Sequence, residues 1–203
     1  MIGIIDLDTG NIASLISAFD KINSKYRICK KPDDLIGVTK IVLPGVAAFK
    51  DYHQKIINKN FDKALIESKS KNYPILGICS GFQVFFEQST EHGLSDGLGF
   101  LKGKFKAFNE TDQKVQVPHV GWTSCKIVKK SKSFENINNN SDVYFTHSFL
   151  LYEENNEIQT TVSKYDLQIF TSSINKKNLY GVQFHPEKSQ LNGLQVLKNF
   201  SEL

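Results

Sequence analysis

Arginine is nearly missing from this sequence: Arg27 is the only one, although 25 basic residues face 21 acidic ones and the formal net charge is +4. Nucleic-acid binders lean on the guanidinium fork for bidentate contacts to guanine and phosphate. A thin lysine excess reads instead as a solvated surface, so no nucleic-acid partner is expected. Cysteine is scarce as well. Cys29, Cys79 and Cys125 are odd in number and form no Cys-x-x-Cys pair, which argues against a disulfide scaffold or a zinc site and for a reducing compartment. No basic, apolar leader precedes Ile2, and no apolar run approaches the length that spans a bilayer. Neither a signal peptide nor a membrane association is expected, and the expected location is the cytoplasm.

The residues that are present suit a globular enzyme. With 203 residues, 40% hydrophobic and 23% charged, the chain is long enough to bury a sheet on both faces, and we expect one domain over residues 1–203. Ile2–Leu7, Lys40–Leu43 and Pro74–Ile78 are short apolar runs ended by turn residues, and each reads as a buried strand. Between them, Ile12, Leu15, Ile16, Phe19 and Ile22 recur at helical steps, with Asn11 as a candidate N-cap, and residues from about Asp51 to Lys71 also read as helical. Such alternation predicts a mostly parallel sheet with right-handed crossovers. The second half reads differently: Lys104–Phe108, Val143–Phe149, Ile158–Val162 and Leu167–Ile174 are strand-like without long helices between them. The fold class expected is therefore α/β, a mostly parallel central sheet flanked by helices, with antiparallel strands added and a closing helix through Leu194, Leu197 and Phe200. Lys129–Asp142, rich in Lys, Ser and Asn, reads as a solvated loop.

The most informative segment is Gly77-Ile78-Cys79-Ser80-Gly81-Phe82-Gln83. An apolar strand enters Cys79 and a helical pattern through Phe82, Phe85 and Phe86 leaves it, with glycines two before and two after. That is the spacing of a nucleophile elbow, a turn too tight for flanking side chains that leaves its central residue exposed. A helix N-terminus beneath the sulfur would favour the reactive thiolate. Alone, Cys79 reads rather as a small residue ending a core strand, as Cys29 and Cys125 are read.

A thiol nucleophile needs a base, and the base a third group to hold it. Of five histidines, only His185 ends a strand-like run, Tyr180–Phe184, and is followed by Pro186 and Glu187. In extended backbone, residues two apart point to one side, so Glu187 can lie beside His185, fix its tautomer and favour its charged form. A glycine-flanked cysteine together with a stiffened His-Pro-Glu is a far rarer coincidence than either alone.

Together these motifs resemble the class I (triad) glutamine amidotransferases, and in particular the glutaminase subunits of imidazole glycerol phosphate synthase. Leu43-Pro44-Gly45-Val46, Val117-Pro118-His119-Val120-Gly121-Trp122, His147-Ser148 and Gly181–Gln190 carry the likeness across almost the whole chain. The resemblance implies hydrolysis of L-glutamine to glutamate and ammonia without metal or cofactor. Cys79 would be the nucleophile, His185 the acid and base, and Glu187 its orienter. Backbone N–H groups of Ser80 and Val46 would meet the oxyanion. Gly45, Gln83, Glu91, His147, Ser148 and Phe149 would line the glutamine site. Asn11, Trp122, Lys188 and Ser189 match positions at or near the face that docks a (β/α)₈ cyclase subunit in a heterodimer, which would receive the ammonia for histidine biosynthesis. An alternative is a paralogous subunit supplying ammonia for amidation of a surface-polysaccharide sugar. The pattern breaks at Ala47, where a glycine is usual, and at Ser80 and Phe82 around the elbow. Alanine resists backbone conformations open to glycine, which bears on how the oxyanion site forms.

Overall fold

A computed structural model describes residues 1–9, 12–111, 115–152 and 157–203. The apolar runs form the expected parallel core: β1 (Ile2–Ile5), β2 (Tyr26–Cys29), β3 (Lys40–Gly45), β4 (Ile75–Cys79) and β13 (Leu179–Val182) pair in the order β2-β1-β3-β4-β13, all parallel. The sheet then continues antiparallel through β12 (Gln168–Lys176), β11 (Gln159–Tyr165), β8 (His119–Ile127) and β9 (Ser141–His147), giving nine strands. A second, four-stranded sheet runs β10-β7-β5-β6, built from β10 (Phe149–Leu151), β7 (Lys104–Ala107), β5 (Gln88–Ser89) and β6 (Ser95–Asp96).

The central strands are apolar throughout because both their faces are covered. Along β3 and β4, Val42, Leu76 and Ile78 pack with Leu15, Phe19, Val196 and Phe200 on one side. Ile41, Leu43 and Ile75 pack with Phe49, Tyr52, Ile56 and Leu65 on the other. The first group comes from α1 (Ile12–Lys21) and α5 (Gln190–Ser201), the second from α2 (Phe49–Asn58) and α3 (Phe61–Ser70).

Four local expectations are corrected. The helix expected over about 51–71 is two helices, because Asn60 takes a left-handed conformation (φ 57°) between α2 and α3, which asparagine tolerates better than most residues. The helix after Cys79, α4 (Ser80–Gln83), lasts a single turn; Phe85 and Phe86 lie in turns, their rings buried by tertiary packing. The strand expected over Val143–Phe149 breaks at Ser148, where the chain passes from one sheet to the other. Within the loop 129–142, Ser133 and Phe134 are buried, Phe134 edge-on to Phe184. The candidate cap Asn11 lies outside the described residues.

Candidate active site

In an open parallel sheet, ligands sit beyond the carboxyl ends of the strands. Here those ends belong to β3, β4 and β13, whose register sets Gly45 beside Cys79 and Val182 beside Ile78. Cys79 adopts φ 52° and ψ −111°, a region that costs a non-glycine residue on the order of 1–3 kcal/mol and persists only where its surroundings impose it. The flanking glycines impose it. A Cβ on Gly77 would lie 2.4 Å from the Gly81 carbonyl oxygen, and one on Gly81 would lie 1.8 Å from that of Leu43. Only bare backbone lets the turn close.

His185 follows β13 after Gln183 and Phe184, and Glu187 sits in the short turn Pro186–Lys188. Their side chains meet at 2.8 Å, Nδ1 to Oε1, with exposures of 1% and 4%. His185 Nε2 is buried and has no hydrogen-bond partner among the described residues. Its imidazole is nonetheless pushed up to about 10: burial alone would lower it, but the Cys79 sulfur and the Glu187 carboxylate favour the cation more strongly. Cys79 acts on the imidazole through its charge and through a hydrogen-bonding approach, although Nε2 meets no well-aligned partner, as in catalytic pairs before substrate enters. The segment is pinned: Ser189 Oγ donates to the His185 carbonyl at 2.7 Å and accepts from the Tyr144 N–H at 2.9 Å, while the His185 N–H donates to the Tyr144 carbonyl.

Cys79 opens into a pocket of about 430 Å³ lined by Val46, Ala47, Ala48, Ser80, Gln83, Glu91, Thr146, Ser148, Phe149, His185 and Lys188, a size suited to a small metabolite. The structure therefore brings together Cys79, Val46, Ser80, Gln83, Glu91, Ser148, Phe149, His185 and, through its partner, Glu187. Gly45 lies just behind, where an added Cβ would come within 2.8 Å of Ser80 and Tyr52. His147 is not among the lining residues; its ring turns into the core. Glu91 accepts a hydrogen bond from the Phe49 N–H at 2.7 Å, at the first turn of α2, so it secures that helix end as well as edging the pocket. Two of the three residues at which the family pattern breaks meet: Ser80 Oγ donates to the Ala47 carbonyl at 2.5 Å. This bond ties the loop after β3 to the elbow.

The residues expected on a partner face divide. Trp122 is 47% exposed and packs edge-on to Tyr144, over which the Lys188 ammonium also lies. Ser189, by contrast, is wholly buried, its hydroxyl spent on the backbone bonds above, so its side chain is not presented to a partner. Asn11 lies outside the described residues. Two residues at the site were not anticipated. Gln183 Nε2 points at Cys79 Sγ (3.7 Å), its Oε1 accepting from Gln83 Nε2 (3.1 Å), and the Thr146 carbonyl faces the sulfur at 3.9 Å. The two-residue period linking Gln183 to His185 was a usable signal for the first; nothing local marks the second.

Among the described residues no helix is long and apolar enough to cross a membrane. The model of the glutamine amidotransferase class-I family matches residues 4–202. The chain is 40% identical over 204 residues, covering all of both chains, to imidazole glycerol phosphate synthase subunit HisH 1 of Campylobacter jejuni. It is 40% identical over 205 residues to subunit HisH of Oceanobacillus iheyensis, covering 100% of this chain and 99% of that one. A crystal structure of a glutamine amidotransferase superposes with a TM-score of 0.76 at 12% identity, covering 99% of this chain and 97% of the other, a likeness of fold. The chain belongs to the class-I glutamine amidotransferases and, within them, to the family of imidazole glycerol phosphate synthase HisH subunits.

Proposed function

We propose that this chain is the glutaminase subunit of a two-subunit synthase, hydrolysing L-glutamine to glutamate and ammonia and passing the ammonia to a (β/α)₈ cyclase partner that makes imidazole glycerol phosphate in histidine biosynthesis. The observation that carries it is the buried His185–Glu187 ion pair behind a cysteine held in a strained elbow. Cys79 Sγ attacks the side-chain amide carbon, and the carbonyl π electrons move onto oxygen. The Ser80 and Val46 N–H groups meet that oxyanion. As the oxyanion collapses, the C–N bond breaks and His185 gives its proton to the departing ammonia, leaving a glutamyl thioester. His185 then takes a proton from water, whose oxygen attacks the thioester carbon; the C–S bond breaks and glutamate leaves. Glu187 holds the imidazole in one orientation through both steps. No metal or cofactor takes part.

Free ammonia is protonated in water and ceases to be a nucleophile, so a synthesis that uses it needs a covered route. On β8 and β9, exposed Val120 and Trp122 lie cross-strand from Thr146 and Tyr144, and Thr146 and Lys188 also line the pocket. This apolar stripe at the pocket mouth is the face proposed to dock the cyclase, forming a cytoplasmic heterodimer in which residues 1–203 act as one domain. Relatives named for imidazole glycerol phosphate synthase favour this reading over amidation of a surface sugar. The test is ammonia release measured with and without the cyclase subunit and its ligand. Activation of about tenfold or more is expected. Equal rates in both conditions would refute the synthase role and leave a hydrolase acting alone.

A further inference from the structure

On the core side of β8 and β9, facing away from Trp122, His119 and His147 stand directly cross-strand and are buried at 1% and 6% exposure. His147 Nδ1 lies 2.8 Å from the Phe149 carbonyl oxygen, His119 Nδ1 3.0 Å from His147 Nε2, and His119 Nε2 2.8 Å from Thr123 Oγ1. A carbonyl only accepts, so His147 Nδ1 carries a proton. Burial lowers His119 to about 4, and burial with the neighbouring His119 and His185 lowers His147 to about 3, so each ring holds one proton. The direction of every link follows: Thr123 O–H to His119, His119 Nδ1–H to His147 Nε2, His147 Nδ1–H to the Phe149 carbonyl. Tyr165 stacks on His119 at 4.0 Å and Phe145 at 4.9 Å, while Phe170 lies 5.1 Å from His147. Rings so packed do not turn freely.

The chain of bonds ends at the corner where β9 leaves one sheet and β10 enters the other. Thr146, Ser148 and Phe149 supply the pocket wall there, and the Thr146 carbonyl faces the sulfur. The Ser148 carbonyl is engaged by the Phe108 N–H at 3.0 Å. His147, between them, spans the corner through its bond to Phe149. We infer that His119 and His147 are positioning residues of the glutamine site: their directional hydrogen-bond chain fixes the Ser148–Phe149 wall, from a strand whose opposite face is the proposed docking surface. Neither ring touches substrate. The inference rests on the glutaminase reading.

Long-range proton–nitrogen NMR on the unsubstituted chain at neutral pH reads the tautomers directly, and both rings are expected to carry the proton on Nδ1. In glutaminase assays with the partner present, His119→Leu removes the bonds to His147 and Thr123; loss of the buried bond to His147 is expected to raise the KM for glutamine about tenfold, with kcat changed less than about threefold. His119→Asn keeps a donor at the δ position and is expected to restore KM to within about threefold. A role in packing alone predicts no such rescue. An Nε2–H tautomer at either residue, or a folded His119→Leu with unchanged KM, overturns the inference while glutamine hydrolysis stands. Absence of hydrolysis in the unsubstituted complex overturns the glutaminase reading and the inference together. The tautomer measurement needs no variant, so it decides even where His119→Leu does not fold.

Discussion

Cys79→Ala is expected to lower glutamine hydrolysis by at least about 10⁴-fold, because catalytic units that lose their nucleophile keep only the contribution of binding and oxyanion stabilisation. The fold is expected to survive. Alanine meets the same backbone cost at φ 52° that cysteine already bears, and the side chain lost is one sulfur atom at 6% exposure. Cys79→Gly separates chemistry from strain further. Glycine adopts positive φ without a Cβ clash, so this variant is expected to be as inactive as the alanine one yet to unfold at a higher temperature. Ammonia release and thermal unfolding of the three proteins side by side check both halves. Activity retained in either variant would mean that another group does the chemistry.

The second large effect concerns the elbow itself. Gly81→Ala places a Cβ 1.8 Å from the Leu43 carbonyl oxygen and 3.4 Å from the Leu43 side chain. That carbonyl belongs to β3, which pairs with β4 on one side and β1 on the other, so it cannot retreat without opening the sheet. Strain on backbone atoms in a packed core belongs to the class of substitutions that cost more than about 4 kcal/mol, against a total stability of about 5–15 kcal/mol for a typical domain. Loss of cooperative unfolding, or of soluble protein, is the expected result. A Gly81→Ala protein that melts within a few degrees of the unsubstituted one would show that the elbow is looser than its geometry states.

Much of this was legible in the chain because the informative residues sit where local rules are strong. The parallel core could be read from Ile2–Leu7, Lys40–Leu43 and Pro74–Ile78, since strands covered on both faces have no polar positions to obscure them. The elbow was legible because close backbone contact leaves glycine as the only solution at positions 77 and 81. His185 and Glu187 were linked by the two-residue period of extended chain. What escaped depends on distant partners. The break at Asn60 follows from a single left-handed residue within an otherwise continuous helical pattern. The single-turn α4 could not be told from a longer helix, because Phe85 and Phe86 are apolar for the sake of tertiary packing, as the edge-on contacts of Phe86 with Phe82 and Phe105 illustrate. Ser189 looked like a surface serine; only the arrival of Tyr144 and the His185 carbonyl makes it a buried tie. The His119–His147 chain depends on a cross-strand register that no local spacing encodes.

The chemistry proposed here stands or falls on Cys79 being the one sulfur that a glutamine-shaped substrate reaches. The most direct measurement is to treat the native protein, with its partner, with a glutamine-like electrophile and to locate the adduct by mass spectrometry. Modification of Cys79 alone, blocked by excess glutamine, is the predicted result: all three cysteines are buried, but Cys79 lines the pocket together with His185 and Glu91, while burial holds the Cys29 and Cys125 thiols above their ordinary range. Labelling at either of those instead, or none at Cys79 while glutamine is being turned over, would contradict it.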